Sequence, residues 1–281
     1  GTLVAFRKFD PQQAGLLVTL FLAGAVIASA VLAPRFGRLN GRVVATLGLA
    51  LSAVAFLIGA RATDFMSLAA IHAVSGLAAG SALSVTHGTI ARSSNPHRLF
   101  AIVNFALGVF AIAFLGVTPK RIEAMGAPAL FLAFSTIMAA AALVALAAFP
   151  TGRLAHEPVP AAAAPLRMTP AVWAAVLAIC LMGLIQSMTF AFLERAGAHR
   201  GYSVAAITGV LITLGFVNLL PAPLAALLEK RIPARGVMLA GPVLQAVICA
   251  LIMNSAAFGV YAGAAVLFAS IIIFTHTFAF G

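Results

Sequence analysis

The chain of 281 residues is 63% hydrophobic and only 8% charged, with a mean hydropathy of +1.12 and a formal net charge of +11. Soluble domains devote about a quarter of their residues to charge, so a water-covered globular fold is excluded and an integral membrane protein is indicated. The net charge calls for no nucleic-acid partner, because the placement of the cations follows membrane topology and suits anionic lipid headgroups.

In chain order, a short polar approach (GTLVAFRKFD) precedes a series of uncharged stretches. They lie between Asp10 and Arg35, Arg42 and Arg61, Asp64 and Arg92, Arg98 and Lys120, Glu123 and Arg153, Arg167 and Glu194, and Arg200 and Glu229. A last one begins at Gly236 and is long enough for two spans, with NSAAFG (254–259) as the turn. About 20 apolar residues in helical form cross the hydrocarbon core, and strand-like alternation is absent. The expected fold is therefore all-α and polytopic, with about nine transmembrane helices. Ten of the 17 Lys and Arg residues, among them Arg35, Arg38, Arg42, Arg92 and Arg98, fall in loops on one side, which is expected to be cytoplasmic.

Three features organise the chain. Setting Gly209 on Gly15 also aligns Thr213 with Thr19 and Leu214 with Leu20, and both segments run from an apolar helix through a basic turn into another helix. The Pro- and Ala-rich stretch 151–169 reads as a cytoplasmic linker between an N-terminal bundle (1–150) and a C-terminal bundle (170–281). The stretch LAPRFGRLNGR (32–42) reads as a basic, glycine-containing turn held at the cytoplasmic surface. Cys180 and Cys249 lie inside apolar runs and suggest neither disulfide nor metal. Motifs such as H-E-x-x-H and G-x-S-x-G are absent, and no carboxylate pair sits in a span, so neither an enzyme nor a cofactor is expected.

Leu32, Ala33, Arg35, Gly37 and Arg38 fall on the loop signature that joins the second and third helices in the major facilitator superfamily, which this layout resembles. Ala30 stands where that signature has glycine and Pro34 where it has aspartate. LLEKRIPAR (227–235) is a degenerate counterpart, with Glu229 and Lys230 in the acidic and basic places. The resemblance implies two helical bundles and alternating-access transport, with the present spans at helices two to ten of twelve and the sequence part of a longer chain. It assigns Arg35, Gly37, Arg38, Arg42, Glu229 and Lys230 to a cytoplasmic gate. It also implies that the loop aspartate's latch is weakened or replaced here.

The family cavity is lined mainly by helices one, four, seven and ten. On that basis Gln186 is a candidate substrate contact, and His72 and His276 are candidate proton carriers; Asn104 and Asn218, uncharged polar groups in other spans, are either further substrate contacts or interhelical hydrogen bonds. His72 stands four residues ahead of Gly76, where proton-driven exporters of the family carry an arginine. Histidine titrates near neutral pH, and an ionisable group within the membrane is a functional candidate by default. The expected activity is secondary transport of a small organic solute, with proton-coupled efflux favoured. The alternatives are a facilitator or importer of an uncharged or weakly anionic metabolite, and a non-transporting scaffold. A monomer in a bacterial inner membrane is expected.

Overall fold

A computed structural model describes residues 2–150, 169–228 and 231–279. Among them, nine segments are long and apolar enough to cross a membrane, and all regular structure longer than a single bridge is helical. The described residues divide into two compact units. One holds the chain up to Ser93 and from Leu115 onward through Pro150; the other holds Ser94–Phe114 and the chain from Thr169. All but Thr169 of the expected linker lies outside the described residues.

The first unit contains α1 (Thr2–Arg7), α2 (Pro11–Leu32), a 3₁₀ segment (Ala33–Arg38), α3 (Gly41–Gly59), α4 (Phe65–Ala91), the later part of α5 (Pro96–Met125) and α6 (Pro128–Ala148). Polar side chains start α2, α3 and α4 where the loops end. Asp10 closes a capping box with Gln13, Asn40 accepts from the backbone of Arg42 and Val43, and Asp64 accepts from Ser67. The Ser67 bonds hold the Asp64 carboxyl below its ordinary 3.8. This cap is therefore fully formed above that value and lost as pH falls through the lower folded one. The approach to α2 forms the short helix α1, and Phe9 behind it is buried with Leu17 and meets Phe65 edge-on.

Helix α4 packs against both α2 and α3, and α3 against α6. The α2–α4 contact is backbone to backbone. Gly76 faces the carbonyl of Phe21, Gly80 the Cα of Ala25, and Gly24 the backbone of Ala73 and Leu77. In lipid there is little hydrophobic drive between helices, so close approach and interhelical hydrogen bonds hold the bundle. One such bond runs from the Ser135 hydroxyl to the Ala53 carbonyl, 2.8 Å from α6 to α3. Large apolar side chains such as Val26, Leu47 and Leu143 face outward.

The second unit holds the first part of α5 with α7 (Pro170–His199), α8 (Val204–Val217), α9 (Pro221–Leu228), α10 (Ala234–Asn254) and α11 (Phe258–Ala279). The turn expected at 254–259 lies between α10 and α11. Helix α11 packs against α7, α8, α9 and α10, around Leu193, Val210, Ile252, Tyr261 and Phe268. Arg200 donates to the carbonyls of Ala196 and Met253, joining the ends of α7 and α10, and Tyr261 donates to Leu193 at 2.9 Å.

The stretch between Arg200 and Glu229, expected as one span, carries Pro221 and Pro223, and its helix is broken at 218–220. Leu219 and Leu220 donate to the carbonyls of Phe216 and Val217, so backbone groups that a proline would leave unpaired are taken up by tight turns, and Pro221 starts α9.

Because a side chain at position 76 would run into the Phe21 carbonyl, Gly76→Leu is expected to cost about 1–3 kcal/mol or more. The loss is read as a lowered thermal midpoint in detergent. Gly116→Leu, at a position with no described neighbour within 4 Å, is expected to leave the midpoint unchanged.

Candidate functional site

The basic turn is docked on the first unit by an aromatic ring and by arginines. Phe36, in the middle of the 3₁₀ segment, is buried among Ala45, Ala82, Val85 and Ala145. Its ring fills the space that a Cβ on Gly88 of α4 would need, and the Arg92 guanidinium lies 5.4 Å from its centroid. Arg35 turns back to the Val31 carbonyl at 2.5 Å, on the last turn of α2. Arg42 reaches across to the Phe149 carbonyl at 2.6 Å, just past α6. Cations at helix C-termini satisfy orphan carbonyls and complement the helix dipole. Arg38 is exposed, and Gly37 continues the 3₁₀ turn beside it. Pro34 contributes no acceptor; the docking of Phe36 and the arginine–carbonyl bonds fix the turn without one. Glu229 and Lys230 lie outside the described residues.

His72 sits on α4 about two turns from its start, enclosed by α3 and α6. Its ring meets Phe56 and Phe131 edge-on, both with centroids 6.0 Å away, and its Nδ1 is 2.7 Å from the Leu68 carbonyl. A carbonyl only accepts, so this bond places a proton on Nδ1 and leaves Nε2 as the acceptor of the neutral ring.

The other candidates belong to the second unit. Gln186, on α7, is half-buried, and its Oε1 is buried with no described hydrogen-bond partner. It shares a helix face with Met182 and Thr189, which bond to Gln245 and contact Cys249 on α10. Asn218 ends α8, and its Oδ1 accepts from Ser270 of α11 at 3.2 Å. Asn104 is half-buried on α5. His276 is half-buried on α11, between the buried Thr275 and Thr277. Among the described residues no group of three His, Cys, Asp or Glu comes together to hold a metal ion.

Sequence reasoning missed Phe36 and Gly88. The only local signal was an aromatic residue inside a basic turn, and its partner lies far along the chain. Gln245 of α10 is buried and donates to the Met182 carbonyl at 3.0 Å, while its Oε1 has no described partner.

If Phe36 anchors the turn, Gly88→Leu expels the ring. A cysteine placed at exposed Arg38 is then expected to react several-fold faster with a bulky thiol reagent than in the parent, with Phe36→Ala giving the same acceleration. Unchanged labelling in both would show that the turn is held without the ring.

No curated protein matches the chain at a significant level. The family model described as Major Facilitator Superfamily matches residues 3–281. With nine candidate spans, a docked basic turn after the first of them and polar side chains inside the bundles, the chain belongs to the major facilitator superfamily, a family of membrane transporters.

Proposed function

We propose that the protein is a secondary transporter that carries a small organic solute by alternating access, with proton-coupled export as its mode. Family membership supports transport. The observation that carries the binding half of the reading is the Gln186 amide oxygen, a buried acceptor within an apolar span that no described group satisfies. Leaving such a group unpaired costs about 1–3 kcal/mol, and a solute hydroxyl or amine in the cavity would recover that cost. Asn104 is a second cavity group in this reading.

His72 carries the proton half. Its Nδ1–H stays on the Leu68 carbonyl while Nε2 takes up and releases a proton, and a charged imidazolium in hydrocarbon is tolerated only when the bundle opens to water. His276, on α11, is a second candidate carrier. The arginine-rich turn with Arg35, Arg38 and Arg42, and Glu229 with Lys230, guard the cytoplasmic mouth. The protein acts as a monomer in a bacterial inner membrane, with anionic headgroups at its basic loops.

The enclosure of His72 by Phe56 and Phe131 equally suits a packing role, and this favours a second reading: a facilitator of an uncharged or weakly anionic solute. The test uses everted vesicles with an acidic interior, a lumenal pH dye and a panel of neutral, cationic and weakly anionic solutes. His72→Asn retains a donor for Leu68 but no titration near pH 7. Export is expected to show solute-dependent proton release in the wild type and at least a tenfold loss in His72→Asn. Solute flux without proton movement in the wild type would replace the exporter with the facilitator.

A further inference from the structure

Ser52 on α3 and Ser75 on α4 are both completely buried, and neither hydroxyl makes a hydrogen bond to any described group. With the half-buried Thr46 of α3, whose hydroxyl is also unpaired, they are the exceptions among the described serines and threonines buried in this unit. Ser81, Thr86 and Thr89 of α4 each bond back to the carbonyl four residues earlier at 2.7–2.8 Å, and Ser135 bonds across to Ala53. The two orphans share one level of the seam. Gly48 of α3 lies against Ala78 and Ala82, and Phe56 of α3 meets His72, so the antiparallel register puts Ser52 and Ser75 opposite each other midway between those contacts.

We infer that Ser52 and Ser75 form an internal site for one water molecule between α3 and α4. Each hydroxyl brings one donor and two acceptor positions, and water, small and neutral, matches both. Buried waters characteristically satisfy polar groups that the protein leaves unpaired. An ion is the wrong ligand. No Asp, Glu, Lys or Arg occurs between Val43 and Ala60 or between Phe65 and Ala91, the stretches that wall this seam, so nothing there balances a charge. The water also gives α4 a second polar station one turn from His72. Its use in proton exchange rests on the coupling proposed for His72, whereas its presence does not.

The experiment is water-edited solid-state NMR on the protein reconstituted in lipid bilayers and labelled with 13C-serine. Polarisation is expected to pass from water protons to the Cβ of Ser52 and Ser75, while Ser135, tied to Ala53, stays dark. Ser52→Ala should reduce the transfer to Ser75 at least fivefold, and Ser75→Ala the transfer to Ser52, with the Ser135 shift unmoved as proof that the bundle is intact. A dark wild-type pair, or transfer to one serine that survives loss of the other, would overturn the shared site. Because the readout needs no substrate, its failure is distinct from failure of the transport reading.

Discussion

Everything in the first unit depends on how closely α4 approaches α2. Gly24, Gly76 and Gly80 let two backbones touch, and that contact fixes the rotation of α4 about its own axis. One flank is given to α2, and the opposite flank, with Ser75, Ala78 and Ala82, is delivered to α3, with His72 at its edge. The imidazole is thereby turned into the Phe56–Phe131 enclosure, and its Nδ1 onto Leu68. At the other end of α4, Gly88 receives Phe36. A single helix rotation thus sets the candidate proton carrier, the buried serine pair and the seat of the basic turn.

Electrostatics add a second constraint. The chain has 17 Lys and Arg residues but six Asp and Glu, so most cations lack a carboxylate to meet. Several use helix C-termini instead. Arg7 reaches Ala60, Arg35 reaches Val31, Arg42 reaches Phe149, and Arg200 reaches Ala196 and Met253. These bonds do two jobs at once: they satisfy carbonyls that a helix end leaves open, and they hold the cations at the membrane boundary, where charge is tolerated. They also explain how the basic turn remains docked with Pro34 in the position of an acid.

Much of this was legible in the sequence. The spans followed from the spacing of charges, because charge in hydrocarbon is costly, and the final turn followed from a polar break in an overlong apolar run. Helix starts at Asp10, Asn40 and Asp64 were written in local capping chemistry. The break at 218–220 was only half legible: Pro221 announced trouble, but whether a helix bends or stops depends on which carbonyls find other donors. Least legible were features built from distant residues. Nothing near Phe36 announces Gly88, and nothing near Ser52 announces Ser75. The lone oxygen of Gln186 is defined by what surrounds it in three dimensions, not by its neighbours in the chain.

The central claim is that a site at Gln186 opens alternately to the two sides of the membrane. It is tested by a cysteine at position 186, with Cys180 and Cys249 replaced, exposed to a membrane-impermeant thiol reagent in right-side-out and in everted vesicles. Alternating access predicts labelling from either side, with reagent on one side blocking later reaction from the other. Labelling from one side alone, or from neither, would contradict it.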